Sequence, residues 1–233
     1  MELAMMRIDI ISAVPELLQS PLNTSILKRA QDKKKVNIFI HNLRDYAFNK
    51  HKQIDDKPFG GGAGMILKPE PFFECIDKLQ SEVKYDHIIF TTPKGKLFDQ
   101  KYANRLSLAK NLLIVTGHYK EIDDRVREYF ATDEISIGNY VLTGGELPAL
   151  IIADAIIRLI PGVLNDSEAA LDDSFQDGEI IEAPYYTRPA EYRGIRVPEV
   201  LLSGNEKEIK KWKQEQSKIL TEKWRNYNKR STI

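Results

Sequence analysis

The stretch ISIGNYVLTGGE, residues 135–146, begins like a buried strand and then breaks into small and polar residues. Gly138, Gly144 and Gly145 surround a tyrosine and a short apolar run. Glycine at this density predicts a backbone that turns sharply or lies close to another group. A strand followed by an ordinary loop would also fit these residues, so the rest of the sequence is needed to distinguish the two interpretations.

Outward from this stretch, strand-like runs occur at 7–14, 36–43, 87–93, 111–117 and 134–142. Helical patterns lie between most of them. Nearly continuous apolar runs that alternate with amphipathic helices predict an α/β fold, with a mainly parallel sheet covered on both faces. Residues 146–160 are apolar almost all round, which predicts a largely buried helix with Pro148 in its first turn.

The alternation of predicted strands and helices ends after Pro161, where an acidic segment begins, and this indicates a linker. We therefore predict a first domain at 1–161, a linker at 162–173 and a small, mainly helical C-terminal domain at 174–233. Asn205 is expected to cap the long helix of this second domain, with Glu208 three residues later. The residues predicted to form the packed face of that helix are Ile209, Trp212, Gln216, Ile219 and Trp224.

Composition predicts a globular cytoplasmic protein, and its charge distribution fits either solvated faces or the binding of a polyanion. Cys75 is the single cysteine of the 233 residues, so no internal disulfide is possible, and we interpret it as a packing residue. The most apolar window contains Asp154 and Arg158 and is too short to span a membrane. The net charge is +0, but basic zones at 28–52 and 206–230 flank an acidic one.

Three glycine-bearing turns, TTPKG (91–95), TGHYK (116–120) and IGNYVLTGG (137–145), each follow a predicted strand. Ligands bind beyond the carboxyl ends of strands in open α/β sheets, so three such turns predict one pocket. The spacing excludes a Rossmann fingerprint and a P-loop. Four scattered histidines with one cysteine give no zinc cluster, and no G-x-S-x-G motif indicates a hydrolase.

Eight collinear motifs resemble the bacterial tRNA (guanine-N1)-methyltransferase family, TrmD, over nearly the whole chain from Met6. They are NLRDYA (42–47), DDKPFGGGAGM (55–65), GHYKEIDDRV (117–126), EISIGNYVLTGGELPA (134–149), RLIPGVL (158–164), DDSF (172–175), YTRP (186–189) and VPEVLLSGN (197–205).

The resemblance implies the SPOUT architecture, in which the three turns belong to a deep trefoil knot that holds S-adenosylmethionine. It also implies a homodimer with its active site at the subunit interface, and methylation of the guanine just 3′ of the anticodon, position 37. The cofactor-binding residues that it implies are Thr91, Pro93, Gly95, Gly117, Tyr119, Ile137, Gly138, Asn139, Tyr140, Val141, Leu142, Gly144, Gly145 and Pro148.

By the same resemblance, Asp173 matches the general base and Arg158 matches the arginine that holds guanine O6. An alternative pairs Arg158 with Asp154 at i, i+4 on the helix and makes Asp173 one more linker acid. The residues expected to bind tRNA are Arg44, His51, Arg188 and Ser203, together with the Lys/Arg-rich C-terminal helix.

The chain departs from the family pattern at two places. Lys120 and Glu121 stand where the family commonly has Glu-Gly, and Asn139 stands where it has Asp. No metal ligand is assigned, and a role for Mg²⁺ stays open. Two other functions compete with base methylation: methylation of a ribose 2′-hydroxyl on the same fold, and RNA binding without catalysis.

Overall fold

The structure, a computed structural model, describes residues 5–164 and 173–229. The chain divides into two compact units, Met1–Asn165 and Asp166–Ile233. Most of the predicted linker at 162–173 lies outside the described residues, so the predicted domain boundaries stay a prediction. No helix within the described ranges is long and apolar enough to cross a membrane.

The first unit is built on a five-stranded parallel sheet. The first unit contains, in chain order, the strands β1 (Met6–Ser12), β2 (Val36–Asn42), β3 (Asp55–Asp56), β4 (Ile66–Leu67), β5 (His87–Leu97), β6 (Asn111–Thr116), β7 (Glu121–Ile122) and β8 (Asp133–Ser136). The sheet has the order β2-β1-β6-β5-β8, and each neighbouring pair is parallel. Strands β3, β4 and β7 form a separate small sheet.

Helices cover both faces of the large sheet, as the sequence predicts. They are α1 (Glu16–Leu22), α2 (Ser25–Asp32), α3 (Pro69–Glu82), α4 (Gln100–Leu106), α5 (Asp124–Phe130) and α6 (Glu146–Ile157), with a 3₁₀ turn at Leu43–Tyr46. Ile8 and Ile10 of β1 face the core beneath α1, α2, α4 and α6. Ile11 faces the opposite core, with α3 and α5. Successive side chains on a strand point to opposite faces, so one strand serves both cores.

The prediction of a strand over 134–142 is wrong beyond Ser136. Gly138 has φ +152°, a region that L side chains rarely adopt, and the chain leaves the sheet there. Thr91 and Lys96 of β5 both lie opposite Ile135 of β8, because the residues between them bulge out of the ladder. The bulge of β5 and the loop after β8 are therefore neighbours.

Helix α6 is largely buried, as the sequence predicts. Most of its residues contact the core, but Leu147 and Ile151 are 50% and 47% exposed. Pro148 lies in the first turn, as predicted. Cys75 is fully buried in the core under α3, and this burial raises the pKa of its thiol to about 12. Its interpretation as a packing residue is confirmed.

The described part of the second unit contains a hairpin, β9 (Glu191–Tyr192) with β10 (Ile195–Arg196), and helices α7 (Glu199–Leu202) and α8 (Glu206–Lys229). The Asn205 side chain accepts a hydrogen bond from the peptide nitrogen of Glu208 at 3.4 Å, so the predicted cap is confirmed.

Two aromatic pairs pack the long helix α8 within the second unit. Trp224 lies 5.3 Å from Phe175 and Trp212 lies 6.3 Å from Tyr186, measured between ring centroids. The placement of Ile219 on the packed face is wrong, because its side chain is 55% exposed. Thr221 is buried instead, and its hydroxyl accepts a hydrogen bond from the peptide nitrogen of Ile181.

Candidate active site

Three glycine-bearing segments meet at one edge of the sheet: a bulge within β5 at residues 92–95 and the loops that follow β6 and β8. The prediction that the turn at 91–95 follows its strand is wrong, because β5 continues to Leu97. The peptide nitrogen of Gly145 donates to the carbonyl oxygen of Gly117 at 2.7 Å. A Cβ on Gly95 would lie 2.5 Å from the backbone of Ile135, and one on Gly145 would collide with the Thr91 side chain. The expectation that these glycines allow close approach is confirmed, and the group that approaches is another segment of the chain.

Together the three segments line one cavity. Of the residues predicted to bind the cofactor, those lining it are Thr91, Pro93, Gly117, Tyr119, Ile137, Gly138, Tyr140, Val141, Leu142, Gly144, Gly145 and Pro148. Gly95 and Asn139 lie outside the lining: Gly95 packs on β8, and Asn139 is exposed in the loop. The lining residues that were not among those assigned to the cofactor are Thr92, His118, Lys120, Glu121, Ile135, Ser136 and Thr143; Thr92, His118, Lys120 and Thr143 belong to the three predicted turns.

None of the three residues that depart from the family pattern, Lys120, Glu121 and Asn139, has a positive φ. Glu121 lies in β7, and its carboxylate accepts a 2.8 Å hydrogen bond from the Lys94 ammonium in the β5 segment. The left-handed backbone lies two residues earlier, at Tyr119 with φ 60°. The Lys120 side chain runs past Gly64, where a Cβ would lie 3.3 Å from it. An ion pair at such an exposed site contributes little to stability.

Glu146, the first residue of α6, is a charged residue buried beneath the cavity that the sequence analysis missed. Its side chain is 1% exposed and accepts a 2.8 Å hydrogen bond from the Ser12 hydroxyl at the end of β1. A carboxylate in the first turn of a helix is stabilised by the helix dipole. The signal in the sequence is an acid at the first position of a mostly apolar helix that also contains Asp154.

The two predicted catalytic residues lie in different units. Arg158 is the half-buried C-terminal cap of α6, and its peptide nitrogen donates to the carbonyl of Asp154. Asp173 is half-buried with its Oδ2 atom inaccessible, at a cleft in the second unit that Lys213 and Arg225 also line. Asp172 lies outside the described residues. The catalytic assignment stays a prediction.

The predicted tRNA contacts are likewise divided. Arg44 lies in the 3₁₀ turn of the first unit and donates to the Tyr119 hydroxyl at 3.4 Å, and His51 is exposed nearby in sequence. In the second unit Arg188 is exposed, and the Ser203 hydroxyl donates to the carbonyl of Val200. Arg44, a predicted RNA contact, therefore forms a hydrogen bond with a residue of the cavity wall.

A parallel α/β sheet with a loop-built cavity beyond its strand ends defines a ligand-binding domain of the open α/β class. The profile of the family described as tRNA (Guanine-1)-methyltransferase TrmD matches residues 6–228. The chain belongs to this family, and the prediction of an enzyme of this kind is confirmed.

Curated relatives are similar over almost their whole length, and each is named tRNA (guanine-N(1)-)-methyltransferase. The protein from Bacteroides fragilis is 59% identical over 212 residues, which cover 91% of this chain and 94% of that one. The protein from Flavobacterium psychrophilum is 56% identical, covering 90% and 93%. The protein from Chlorobaculum tepidum is 55% identical, covering 93% and 94%.

Proposed function

We propose that this chain transfers a methyl group from S-adenosylmethionine to N1 of the guanine at position 37, immediately 3′ of the anticodon in tRNA. The observation that carries the proposal is the cavity formed jointly by the bulge of β5 and the loops that follow β6 and β8, in a chain of this family. Action on tRNA implies a cytoplasmic enzyme.

The residues around the cavity fit S-adenosylmethionine, which supplies an electrophilic methyl group when bound. Ile137, Val141 and Leu142 offer apolar contact for a flat heterocycle, and the backbone that bears them offers peptide groups for its polar edge. Gly144 and Gly145 leave no room for a Cβ, so the wall they form is fixed by contacts within the chain. A deep trefoil knot is part of the proposal, supported by this close approach of segments distant in sequence.

Asp173 and Arg158 are proposed to carry the acid–base chemistry. Guanine N1 is protonated at neutral pH, so its lone pair becomes available only when a base removes that proton. Asp173 accepts the proton, and negative charge then develops on guanine O6. Arg158 donates hydrogen bonds to O6, because a guanidinium keeps its charge at every physiological pH.

The tRNA is proposed to bind mainly through its phosphates. Arg44 and His51 contribute from the first unit, and Arg188 and Ser203 contribute from the second. Helix α8 adds exposed lysines at Lys207, Lys210, Lys211, Lys213, Lys218 and Lys223. Phosphate contacts of this kind position the RNA but do not read its bases.

A homodimer with its active sites at the subunit interface completes the proposal. Leu147 and Ile151 project from α6 half-exposed, and Val141 in the adjacent loop is 83% exposed. A second copy of the chain would bury this apolar surface in a two-fold interface. Light scattering at micromolar concentration should give twice the mass of one chain, and a fully active monomer would contradict the assignment.

A role for Mg²⁺ stays open in the proposal, and no ligand is assigned to it. Within the described ranges, no group of three His, Cys, Asp or Glu side chains could hold a metal ion. Lys120 and Asn139 stand at the two positions where the family has acids. Activity with magnesium and with chelator tests whether Mg²⁺ takes part.

The test is incubation of the purified chain with unmodified tRNA transcript and labelled S-adenosylmethionine, followed by digestion and nucleoside analysis. The proposal predicts 1-methylguanosine. A ribose 2′-O-methylated nucleoside would instead support the rival reaction on the same fold. Binding of tRNA without any transfer of label would support an RNA-binding role.

A further inference from the structure

The buried carboxylate of Glu146 is satisfied on one oxygen only. Its Oε1 atom accepts hydrogen bonds from the Ser12 hydroxyl at 2.8 Å and from the Thr116 hydroxyl at 3.3 Å. Its Oε2 atom is inaccessible to solvent and has no hydrogen-bond donor among the described residues. A buried polar atom without a partner carries a desolvation cost of about 1–3 kcal/mol, and more when charged.

A second unsatisfied atom lies directly opposite. The Nδ1 atom of His118 is buried, has no hydrogen-bond partner in the described part of the chain, and lies 3.6 Å from Glu146 Oε2. That distance is just beyond a hydrogen bond. A Cβ on Gly144 would collide with the Glu146 carboxylate and lie 2.6 Å from His118 Nδ1, so glycine at this position lets the two groups face each other.

The position of His118 links this pair to the cavity. His118 lines the cavity between Gly117 and Tyr119, and its backbone pairs with Gly144 as an isolated bridge. Its ring packs edge-on against Tyr119, whose φ of 60° is in the left-handed region. A shift of this segment by less than about 1 Å would bring Nδ1 within hydrogen-bond distance of Oε2.

We propose that cofactor binding closes this gap, so that His118 takes up one proton from solvent and its Nδ1–H donates to the Glu146 carboxylate. This proposal rests on the proposed function, because it assigns a role within the proposed cofactor site. His118 becomes a charged wall of the cavity, and Glu146 is a positioning residue that fixes the segment from Gly117 to Tyr119.

The groups facing His118 include one carboxylate. Glu146 faces it from α6, Gly144 presents its backbone from the loop after β8, and Tyr119 presents its ring. Lys120, two residues along the chain, directs its ammonium toward Gly62, where a Cβ would lie 3.5 Å from Nζ. A carboxylate within hydrogen-bond distance stabilises the imidazolium, so closure and protonation support each other.

Isothermal titration of S-adenosylmethionine at one pH, in two buffers with different ionisation enthalpies, measures the proton uptake. Near neutral pH the wild type should take up a substantial fraction of a proton per site. Its affinity should fall as the pH rises above the range in which an imidazole titrates, approaching tenfold per pH unit.

Two variants distinguish the effect of proton uptake by His118 from the effect of its hydrogen bond to Glu146. In His118→Asn the amide can donate to Glu146 without titrating, so cofactor affinity should become independent of pH and proton uptake should vanish. Glu146→Gln should also abolish the uptake. His87→Asn is the matched control, because His87 lies 2.7 Å from Asp133 at the start of β5, and it should retain the wild-type uptake.

Wild-type proton uptake in His118→Asn, or no uptake in the wild type, would refute the proposed protonation of His118 and its hydrogen bond to Glu146. Neither result would refute the assignment of the cofactor site. Thermal unfolding of each variant identifies any that fail to fold, and His118→Asn then decides, because it keeps the buried carboxylate paired. Failure of the wild type to bind S-adenosylmethionine at all would overturn the proposed function and the pair together.

Discussion

The peptide nitrogen of Gly145 donates a 2.7 Å hydrogen bond to the carbonyl oxygen of Gly117. This bond holds the N-terminal cap of α6 against the segment that follows β6. The same glycine has Thr91 of β5 packed against its Cα, in the space that a Cβ would need. Residues far apart in the sequence are thereby fixed together at one wall of the cavity, and substitutions at this point should affect the whole cavity.

Gly145→Ala should weaken cofactor binding and lower stability. The added methyl would collide with the Thr91 side chain and lie 3.0 Å from the peptide nitrogen of Gly117. Overpacking of this kind typically costs about 1–3 kcal/mol. Calorimetry with S-adenosylmethionine should show at least a tenfold loss of affinity, and the melting temperature should fall.

Gly117→Ala is the stability control for that variant, because its Cβ would be in ordinary contact with Ile122 at 3.4 Å. It should melt close to the wild type. Equal stability and equal cofactor affinity in Gly145→Ala and the wild type would show that the close packing does not constrain the cavity.

Asp173→Asn should abolish proton removal and leave cofactor binding intact. Loss of a general base typically lowers the rate by a factor of about 10²–10⁴. Single-turnover methylation should fall by about a hundredfold or more, while calorimetry with the cofactor should match the wild type. Asp177→Asn is the matched control, because Asp177 lines the same cleft. Equal losses in both variants would refute Asp173 as the base.

Binding of tRNA should weaken steeply as salt rises. Each phosphate neutralised by a lysine or arginine releases condensed counterions, so the logarithm of affinity falls linearly with the logarithm of salt concentration. Arg44→Ala should lower the affinity and reduce the magnitude of the slope by about one. Filter binding over a salt series measures both, and a slope unchanged by this substitution would remove Arg44 from the contact.

Asp9 should make stability depend on pH. Burial alone would raise the pKa of this carboxyl, but hydrogen bonds from His41 at 2.7 Å and Arg7 at 2.6 Å outweigh it and lower the pKa. A group whose pKa is lowered by folding contributes stability above its unfolded value, about 3.9, and loses that contribution as the pH falls.

Asp9→Asn should therefore reduce the free energy of unfolding by about 3 kcal/mol at neutral pH, the scale for breaking a buried pair. The difference from wild type should shrink as the pH falls below about 4, where the carboxyl of the unfolded chain takes up a proton, and should vanish only below the lowered pKa of the folded state. Urea unfolding at several pH values measures this difference in the free energy of unfolding. Asp32→Asn removes an exposed pair with Lys28 and should cost under about 1 kcal/mol. A pH-independent difference at Asp9 would contradict the linkage.

Local sequence signals predicted the elements and the cavity wall, but not the contacts between them. Apolar runs gave the five strands, and the glycines of 135–146 indicated close approach. The end of β8 at Ser136 was missed, because Ile137 and Val141 continue the apolar pattern after the chain has left the sheet. The placement of Glu146 opposite His118 depends on how α6 and the segment after β6 meet in space, which no local periodicity encodes.

The central claim is methylation of guanine N1 at position 37, and site-resolved mass spectrometry of a methylated tRNA transcript tests it most directly. With guanine at position 37, the enzyme and S-adenosylmethionine should give one added methyl, located on N1 of that base. A transcript with adenine at position 37 should remain unmodified. Methylation at another position, on a ribose hydroxyl or in both transcripts alike, would contradict the account.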